Sequence, residues 1–297
     1  MKQKGTFLFI INPKAGAKAK HDLNKLIDEK AKVFNAAYEI IYTTHRNHAF
    51  EISLHADVSK YHVIVAVGGD GTINEVGRGL IHKSIGLAIV PMGSGNGLAR
   101  YSKIPLSTTK AIELVFTGKF KAMDVIQINN HYSFNVSGIG FDSAVAHQFQ
   151  HLDKRGFWGY FKVVMKQVFQ FKPVEITIEL LTKEGFKNIK CPAFLLAVAN
   201  SNQFGNNAII APSADARDGK FNIVIVKPFS WIKMPYYAFM MFANKFDKIG
   251  AVLNYEATQC IIHTSAKEWH IDGEPLVLDT PIEIKILPLA IQIIVPQ

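Results

Sequence analysis

A glycine-rich turn, VGGDGT at 67–72, follows directly on a short apolar run. That run, VIVAV at 63–67, has the β-branched composition of a buried strand, and an amphipathic stretch begins near Thr72. Glycines without a Cβ let backbone amides approach phosphate oxygens, and a helix N-terminus adds partial positive charge at the same place. The order strand, glycine turn, helix therefore predicts a phosphate-binding turn. A tight turn with a capping aspartate is the purely structural alternative.

The first third of the chain alternates short β-branched runs with amphipathic stretches. The runs predict strands at 6–11, 39–42, 63–67 and 87–90. The stretches between them predict helices at 20–34, 48–58 and 72–81. Strands and helices that alternate at this spacing indicate βαβ units around a parallel sheet. Residues 1–123 are therefore expected to form an α/β domain.

The second part of the chain, residues 124–297, has an all-β texture with Gly, Asn, Asp and Pro turns. Strands are predicted at 124–128, 132–136, 174–181, 193–199, 221–226, 259–264, 282–286 and 291–295. Helical excursions are predicted at 156–171 and 231–245. This texture predicts a β-sandwich. The last strands either stay in it or return to support the first domain.

Two further turns have the same character as the first. MGSGNG at 92–97 follows the apolar run at 87–90 and offers Ser94 to a phosphate, while NPKAG at 12–16 ends the first strand. Because the carboxyl ends of parallel strands meet at one edge of a sheet, three such turns predict one nucleotide site. The sequence contains no GxxxxGK[ST], HRD or DFG motif, and no GxGxxG opens the first βα turn, which excludes the corresponding nucleotide-binding classes.

In these motifs the chain resembles the diacylglycerol kinase catalytic-domain superfamily, which includes bacterial diacylglycerol kinases, YegS-type lipid kinases and sphingosine kinases. The resemblance is carried in order along the chain by NPKAG (12–16), GGDGTINE (68–75), PMGSGNGLAR (91–100), Asp124 with FNVSGIGFD (134–142), APSADARDGKF (211–221) and IDGEP (271–275). It implies an α/β nucleotide domain of the NAD kinase and phosphofructokinase type, then a β-sandwich, with the site between them. It also implies an ATP- and Mg²⁺-dependent kinase that phosphorylates a hydroxyl of a diacylglycerol-like or sphingoid-like lipid.

The resemblance implies a role for individual residues. The ATP site would consist of Asn12, Thr43, Gly68, Gly69, Asp70, Gly71, Thr72, Asn74 and Ser94. Asp70 and Asp124 would belong to an acidic, magnesium-linked network, and Glu274 would be the general base. A carboxylate suits that position because proton removal helps a lipid hydroxyl, a poor nucleophile, to attack phosphorus. Taken alone, IDGE is equally a β-turn with a solvated glutamate.

A structural magnesium loop is implied at 215–220. Asp218 would bind the ion through its carboxylate, and Asp215 and Lys220 through backbone carbonyls; the alternative is an Asp-Gly hairpin turn. Bacterial diacylglycerol kinases usually carry an aspartate where this chain has Gly97, so the second loop is closer to the sphingosine-kinase form. Asp142 is expected either to meet a polar head group or to cap the following helix.

The chain is basic and has a formal net charge of +9 over 297 residues, which favours an anionic partner. Lysines and aromatic residues mix at 151–172 and 231–246, as suits the surface of an anionic membrane, although both segments could instead pack on the β-domain. The apolar run at 6–11 is too short for a signal peptide and no apolar stretch could span a bilayer. We therefore expect a cytoplasmic protein that associates peripherally with membranes. A homodimer is left open.

Three rival functions remain at this point. An NAD kinase shares a related GGDG loop, but the IDGEP and GSGN segments fit lipid kinases better. A catalytically silent nucleotide- or lipid-binding regulator is disfavoured, because Asp70, Asp124 and Glu274 are all present. Gly97 keeps this alternative open, since it removes one acid from the expected network. A nucleic-acid binder is not expected, since no recognised nucleic-acid motif accompanies the basic charge. The sequence does not name the lipid.

Overall fold

The structure is a computed structural model and describes residues 5–16, 22–150, 167–168, 171–182 and 185–297. The chain divides into two compact units. The first comprises the chain up to Met123 together with Leu289–Gln297, and the second is Asp124–Pro288.

A parallel sheet forms the centre of the first unit. Its strands are β1 (Thr6–Ile11), β2 (Tyr38–Tyr42), β3 (Tyr61–Gly68), β4 (Gly86–Pro91) and the end of β18 (Ile282–Val295). They lie in the order β2-β1-β3-β4-β18, and each neighbouring pair is parallel. Strand β4 is buried along its whole length, as is β3 from Val63 onward, which explains why both read as continuous apolar runs. The four strands predicted for this part of the chain are confirmed.

In the described part of this unit, five helices accompany the sheet. They are α1 (Leu23–Val33), α2 (His48–Leu54), α3 (Asp70–Leu80), α4 (Gly97–Tyr101) and α5 (Thr108–Thr117). In α3 the buried side chains of Ile73, Val76 and Leu80 recur at helical spacing and so lie on one face. Helix α2 ends four residues before its predicted end at 58. Beyond it, the Asp57 carboxylate accepts hydrogen bonds from the amide (2.8 Å) and hydroxyl (2.7 Å) of Ser59 and so stabilises a turn.

Helices α2 and α3 approach each other most closely at Gly79. A Cβ added there would lie 2.1 Å from the Ser53 Oγ and 2.6 Å from the Leu54 amide nitrogen. Gly79→Ala should therefore lower the free energy of unfolding by about 1–3 kcal/mol, because backbone has to move to admit the methyl group. Urea unfolding measures this. Gly250→Ala is the matched control, since a Cβ there meets none of the described atoms within 4 Å. A Gly79→Ala protein as stable as the wild type would contradict the close packing.

The described residues of the second unit form two antiparallel sheets and one short hairpin. The strands that precede β18 are β5 (Lys119–Ile128, from Asp124 onward in this unit), β6 (His131–Ser133), β7 (Val136–Gly140), β8 (Val174–Thr182), β9 (Gly185–Ala193), β10 (Leu195–Ala199), β11 (Gln203–Gly205), β12 (Ala208–Ile209), β13 (Phe221–Val226), β14 (Val252–Ala257), β15 (Gln259–Thr264), β16 (Glu268–Ile271) and β17 (Glu274–Val277). One sheet has the order β14-β13-β10-β7-β16-β17. In the other sheet, the first part of β18 pairs with β15, and the order is β18-β15-β8-β9. The hairpin consists of β11 and β12.

Helices flank this sandwich. They are α6 (Phe141–Gln150) and α7 (Met234–Phe242), with 3-10 turns at Trp231–Lys233 and Phe246–Lys248. Alternate residues of β13 pack in two different hydrophobic clusters, one on each face of the sheet. Phe221 and Ile223 face a cluster shared with β8 and β15, whereas Val224 packs in a second cluster with Tyr237 and Met240 of α7. Strands β10 and β13 of the six-stranded sheet are thus covered on both faces, which explains their unbroken apolar runs.

The predicted architecture, an α/β domain followed by a β-sandwich, is confirmed. The single strand predicted at 132–136 is wrong, because it is divided into β6 and β7. The amides of Phe134 and Asn135, between these two strands, donate to the Asp272 carboxylate at 2.9 Å each. The two strands predicted at 282–286 and 291–295 form one strand, β18. The predicted helix at 156–171 lies almost wholly outside the described residues.

Candidate active site

The turns that follow β1, β2 and β3 meet at the carboxyl edge of the parallel sheet. The Asn12 amide donates to the Val67 carbonyl (3.0 Å), the Thr43 amide to the Ile11 carbonyl (2.9 Å), and the Met92 amide, after β4, to the Gly68 carbonyl (2.7 Å). These bonds bring together the residues predicted for the ATP site. Open α/β sheets bind their ligands at this edge.

The two glycine loops touch each other through backbone. A Cβ added at Gly93 would lie 2.7 Å from the Gly69 Cα, and one added at Gly69 would lie 3.3 Å from the Gly93 Cα. A Cβ at Gly68 would meet the Thr72 side chain at 2.5 Å. The close approach of the loops, and not an unusual φ angle, is the reason that glycine is needed here.

Asp70 clamps the second loop. Its carboxylate accepts hydrogen bonds from the amides of Asn96 and Gly97, each at 2.9 Å. Asn96 has a left-handed backbone (φ 51°), and its side chain accepts a bond from the Gly93 amide at 3.0 Å. The carboxylate predicted for a magnesium network thus also holds the second loop in place. Gly97, the departure from the bacterial pattern, is the first residue of α4 and takes part in this clamp through its amide.

The start of α3 offers backbone amides to an anion. Its N-cap is Gly69, and among the described residues no side chain caps it. The first amides of an α-helix have no acceptor within the helix, so they and the helix dipole suit a phosphate group. Asn12 lies beside this turn and donates from its Nδ2 to the Thr72 Oγ at 3.1 Å.

The remaining residues predicted for the ATP site differ in the exposure of their side chains. Ser94 is exposed in the second loop, Gly71 and Asn74 are half-buried in α3, and Thr43 is half-buried after β2. The edge as a whole fits the phosphates of a nucleotide, since it combines glycine loops, the backbone amides of a helix N-terminus and short polar side chains.

Glu75 has a positioning role that was not predicted from the sequence. Its carboxylate accepts the amides of Asn47 (2.9 Å) and Ala49 (3.3 Å) and so caps α2, the helix that follows Thr43. Arg78 donates to the Asn47 side chain at 2.8 Å, and burial lowers the pKa of its guanidinium. The sequence contained a signal, because Glu75 closes the GGDGTINE motif, but the two amides that donate to it lie 28 and 26 residues away in the chain.

In the second unit, Asp124 holds the loop at 215–220. Asp124 is completely buried, and its carboxylate accepts the Gly219 amide at 2.8 Å. Its own amide donates to the Ala216 carbonyl at 2.8 Å. Two of the predicted elements, the buried aspartate and the magnesium loop, are therefore neighbours. These two Asp124 bonds end on the loop and so hold its conformation.

The loop closes through the protein's own hydrogen bonds. The Asp215 carbonyl accepts the amides of Arg217 (2.7 Å) and Asp218 (3.3 Å), which engages both of its lone pairs. The Asp218 carboxylate accepts the Lys220 amide at 3.0 Å, and the Lys220 Nζ lies 3.9 Å from it. Burial raises the pKa of Asp218, and the Lys220 amide partly offsets this. A cation bound as predicted would share the Asp215 carbonyl with these two amides and the Asp218 carboxylate with the Lys220 amide. Metal binding by Asp215, Asp218 and Lys220 stays a prediction.

Glu274 follows a tightly anchored turn. Asp272 has a left-handed backbone (φ 50°). Its carboxylate accepts hydrogen bonds from the Ser133 hydroxyl at 2.7 Å and from the amides of Phe134 and Asn135. Gly273 has φ 87°, a conformation that favours glycine. Glu274 is exposed at the start of β17.

His270 and Asp142 stabilise this turn through hydrogen bonds. The Gly273 amide donates to the His270 Nδ1 at 3.2 Å, so the other ring nitrogen carries the proton and donates to the Asp142 carboxylate at 2.8 Å. His270 is 3% exposed. Asp142, expected to meet a head group or cap a helix, therefore orients the histidine that holds the turn before Glu274. The other Asp142 oxygen accepts the Ser143 amide at 2.9 Å.

Asn200, which the sequence reasoning missed, links these two parts of the second unit. Its side-chain amide donates to the Asp124 carbonyl (2.8 Å) and to the Phe134 carbonyl (3.1 Å), and the residue is fully buried. Phe134 in turn donates its amide to Asp272. One chain of hydrogen bonds thus runs from the loop at 215–220 to the turn that carries Glu274. The signal in the sequence is an asparagine directly after the apolar run of β10.

Comparisons with known proteins assign both parts of the chain. Residues 6–128 match the diacylglycerol kinase catalytic domain, and residues 135–295 match the YegS C-terminal NAD kinase beta sandwich-like domain. These two domains in this order define a class of kinases. The chain belongs to that class, the family of diacylglycerol kinases and YegS-like lipid kinases.

Relatives in sequence agree with this assignment, and solved structures share the fold. A diacylglycerol kinase from Bacillus subtilis (strain 168) is 27% identical over 238 residues, which cover 78% of this chain and 77% of the relative. The "probable lipid kinase YegS-like" protein of Shewanella frigidimarina is 28% identical over 251 residues, or 78% of this chain and 76% of the relative. The crystal structure of a diacylglycerol kinase from Bacillus anthracis str. Sterne has a TM-score of 0.75 at 21% identity and covers 99% of this chain and 98% of that one. A second structure from this strain has a TM-score of 0.81 at 24% identity, with the same coverage, and the two support the fold.

Proposed function

We propose that the protein transfers the γ-phosphoryl group of ATP to a hydroxyl of a diacylglycerol-like or sphingoid-like lipid. In this reaction the lipid O–H bond breaks, an O–P bond forms to the γ-phosphorus, and the bond between that phosphorus and the bridging β–γ oxygen breaks. ADP leaves with the bridging oxygen, and the hydroxyl proton passes to a carboxylate. Membership of the family supports kinase activity. The proposal adds that the phosphoryl donor is ATP, that the metal is Mg²⁺ and that the acceptor is a lipid.

The observation that carries the proposal is the pair of glycine loops locked together by Asp70. Backbone amides of a clamped loop and of the start of α3 give a rigid set of donors for phosphate oxygens, so little reorganisation is needed when charge shifts during transfer. Asn12, Thr43 and Ser94 supply polar side chains at the same edge of the sheet. Mg²⁺ that arrives with ATP would neutralise phosphate charge, with Asp70 and Asp124 in its acidic surroundings.

Glu274 is proposed as the general base. A carboxylate accepts the proton of the attacking hydroxyl as the O–P bond forms, which helps a weak nucleophile. Asp272 and His270 fix the turn before it from two sides, so the direction of the carboxylate is set by anchored backbone. Such positioning matters, because a small misplacement of a reacting group is costly in rate.

The support that His270 gives to this turn can be tested by substitution. His270→Phe keeps a ring but removes the bonds to Gly273 and Asp142, and we expect kcat to fall by about tenfold or more, since the turn loosens. The KM for ATP should not change, because the residues proposed to bind ATP lie in the other unit. A steady-state comparison of kcat and KM separates the two effects.

A second histidine provides the control for that experiment. His147→Phe removes a bond of similar kind, from the ring to the Trp269 carbonyl (2.9 Å), without touching the turn. It should leave kcat near the wild-type value. If both variants lose activity equally, or if His270→Phe alters only the KM for ATP, the positioning role is wrong.

The lipid acceptor is proposed from the family and from the loops together. The two relatives above are described as a diacylglycerol kinase and a lipid kinase, and Gly97 gives the second loop the form seen in sphingosine kinases. These two indications differ on the head group. The proposal therefore covers both lipid types, and the assay must separate them.

A panel of acceptors tests the proposed function. The protein is incubated with γ-labelled ATP, Mg²⁺ and mixed micelles that contain diacylglycerol, sphinganine, ceramide or phosphatidylglycerol, with NAD⁺ as a soluble comparator. We expect label in one of the lipids and loss of that label without Mg²⁺. Label in NAD⁺ alone would instead identify an NAD kinase. ATP binding without transfer to any member would indicate a regulatory nucleotide-binding protein.

A further inference from the structure

Helix α7 and the 3-10 turn before it expose an unusual amount of apolar surface. Ile232, Tyr236, Phe239 and Phe242 are each between 51% and 70% exposed, and Trp231 beside them is 56% exposed. We call the first four residues the aromatic patch. Exposed apolar residues scattered singly need no explanation, but four within eleven positions form a contiguous candidate for contact with a partner.

The patch lies opposite the side of α7 that packs on the protein. Tyr237 and Met240 are buried in the core cluster under the six-stranded sheet. Residues 236, 239 and 242 recur at a spacing of three and so share the outer face of α7, and Ile232 is exposed in the 3-10 turn just before it. The sequence from 234 to 243, MPYYAFMMFA, contains no charged residue. The helix is therefore apolar on both faces, although only one is covered.

Cationic side chains border the patch at both ends. Lys233 precedes α7, and Lys245 and Lys248 follow it, all three exposed. Asp247 is the only acidic residue between 227 and 250, and it lies 3.5 Å from the Lys248 Nζ. The border therefore has a net positive charge, which complements an anionic surface.

We propose that the aromatic patch is the surface through which the protein rests on an anionic lipid bilayer. The proposal rests on the proposed function only in that the lipid acceptor would reside in that bilayer. Aromatic rings and Ile232 would enter the headgroup layer while the lysines pair with lipid phosphates. Among the described residues no helix is long and apolar enough to cross a bilayer, so the contact would be superficial.

A second copy of the chain fits this surface less well than a bilayer does. A two-fold contact brings the same patch from each copy together, so the lysines of one copy face those of the other. Like charges placed opposite one another weaken such a contact. A bilayer with anionic headgroups avoids this repulsion and also matches the tyrosine and tryptophan content of the segment.

Sedimentation with lipid vesicles tests the proposal. Vesicles of phosphatidylcholine and phosphatidylglycerol in equal parts are compared with vesicles of phosphatidylcholine alone, without nucleotide. The wild type should bind the mixed vesicles more tightly, and Phe239→Glu should weaken this binding by about tenfold or more, since the loss of one inserted ring exceeds the ~1.4 kcal/mol that a factor of ten requires. Ile232→Glu should have the same effect from the other end of the patch.

Phe186→Glu is the matched control. Phe186 is 84% exposed on β9, so the substitution makes the same chemical change on an exposed ring elsewhere in the same unit. It should leave vesicle binding unchanged. Thermal unfolding confirms that each variant is folded, and light scattering after gel filtration reports the oligomeric state.

The outcomes separate this proposal from the proposed function. The proposed docking surface is wrong if Phe239→Glu and Ile232→Glu bind mixed vesicles as tightly as the wild type does. It is also wrong if the wild type binds vesicles with and without phosphatidylglycerol equally. If either variant turns a dimer into a monomer without a change in vesicle binding, the occupant is a second copy. Phe239→Glu should keep wild-type transfer to an acceptor dispersed in detergent micelles. Absence of transfer by the wild type, with vesicle binding intact, would overturn only the kinase proposal.

Discussion

Replacing Asp70 by asparagine should lower phosphoryl transfer by about a hundredfold, because a displacement of the phosphate-binding loop by about one ångström is enough for such a loss. The asparagine has nearly the same shape but offers an NH₂ group where one of the loop amides needs an acceptor. Two donors then face each other, and the second loop loses one of the bonds that fix Asn96 and Gly97. Initial rates with saturating lipid and varied ATP measure the effect.

The control for that experiment is Asp57→Asn. Asp57 also accepts a backbone amide (Ser59, 2.8 Å), but in an exposed turn at the other end of β3. This variant should retain wild-type activity, and both proteins should remain folded by circular dichroism. Wild-type activity in a folded Asp70→Asn protein would show that the clamp between the loops is not needed for the reaction.

Replacing Glu274 by glutamine should lower kcat by about 10²- to 10⁴-fold, the range expected when a general base is lost. Glutamine keeps the size of the side chain but cannot take the hydroxyl proton. Affinity for ATP should be unchanged, which equilibrium binding of a fluorescent ATP analogue can measure. The Asp272 and His270 anchors do not involve the Glu274 side chain, so the turn should survive the substitution.

Glu268→Gln provides the matched comparison for this variant. Glu268 is an exposed glutamate on β16, which pairs with the strand that begins at Glu274. The substitution should leave kcat unchanged. If Glu274→Gln is as active as Glu268→Gln, the proton goes elsewhere and Glu274 is not the base.

Strands buried on both faces were predictable, because burial imposes an unbroken apolar run. The strands at 6–11 and 221–226 have the predicted bounds. Strand β9 was missed, since it lies at the edge of its sheet and five of its nine residues are exposed, so that it has no continuous apolar run. The hairpin of β16 and β17 was missed because its strands are short and its turn depends on left-handed backbone at Asp272 and Gly273.

The candidate site was predictable as a set of residue types and not as a set of contacts. Glycines after a strand identify a phosphate turn, because the geometry of the turn demands them. The partners of Asp70 lie 26 and 27 residues away, and the partner of His270 lies 128 residues away at Asp142. Only the tertiary fold brings such pairs together. The positioning roles of Glu75 and Asn200 could not be assigned from the sequence for the same reason.

The most direct test of the central claim is to follow the γ-phosphate of ATP. Purified protein is incubated with γ-labelled ATP, Mg²⁺ and a total bacterial lipid extract, and the products are partitioned between chloroform and water. We expect label in the chloroform phase, as a phosphorylated lipid, and its loss in Asp70→Asn. Label that stays in ATP, or passes to a water-soluble acceptor such as NAD⁺, would contradict a lipid kinase.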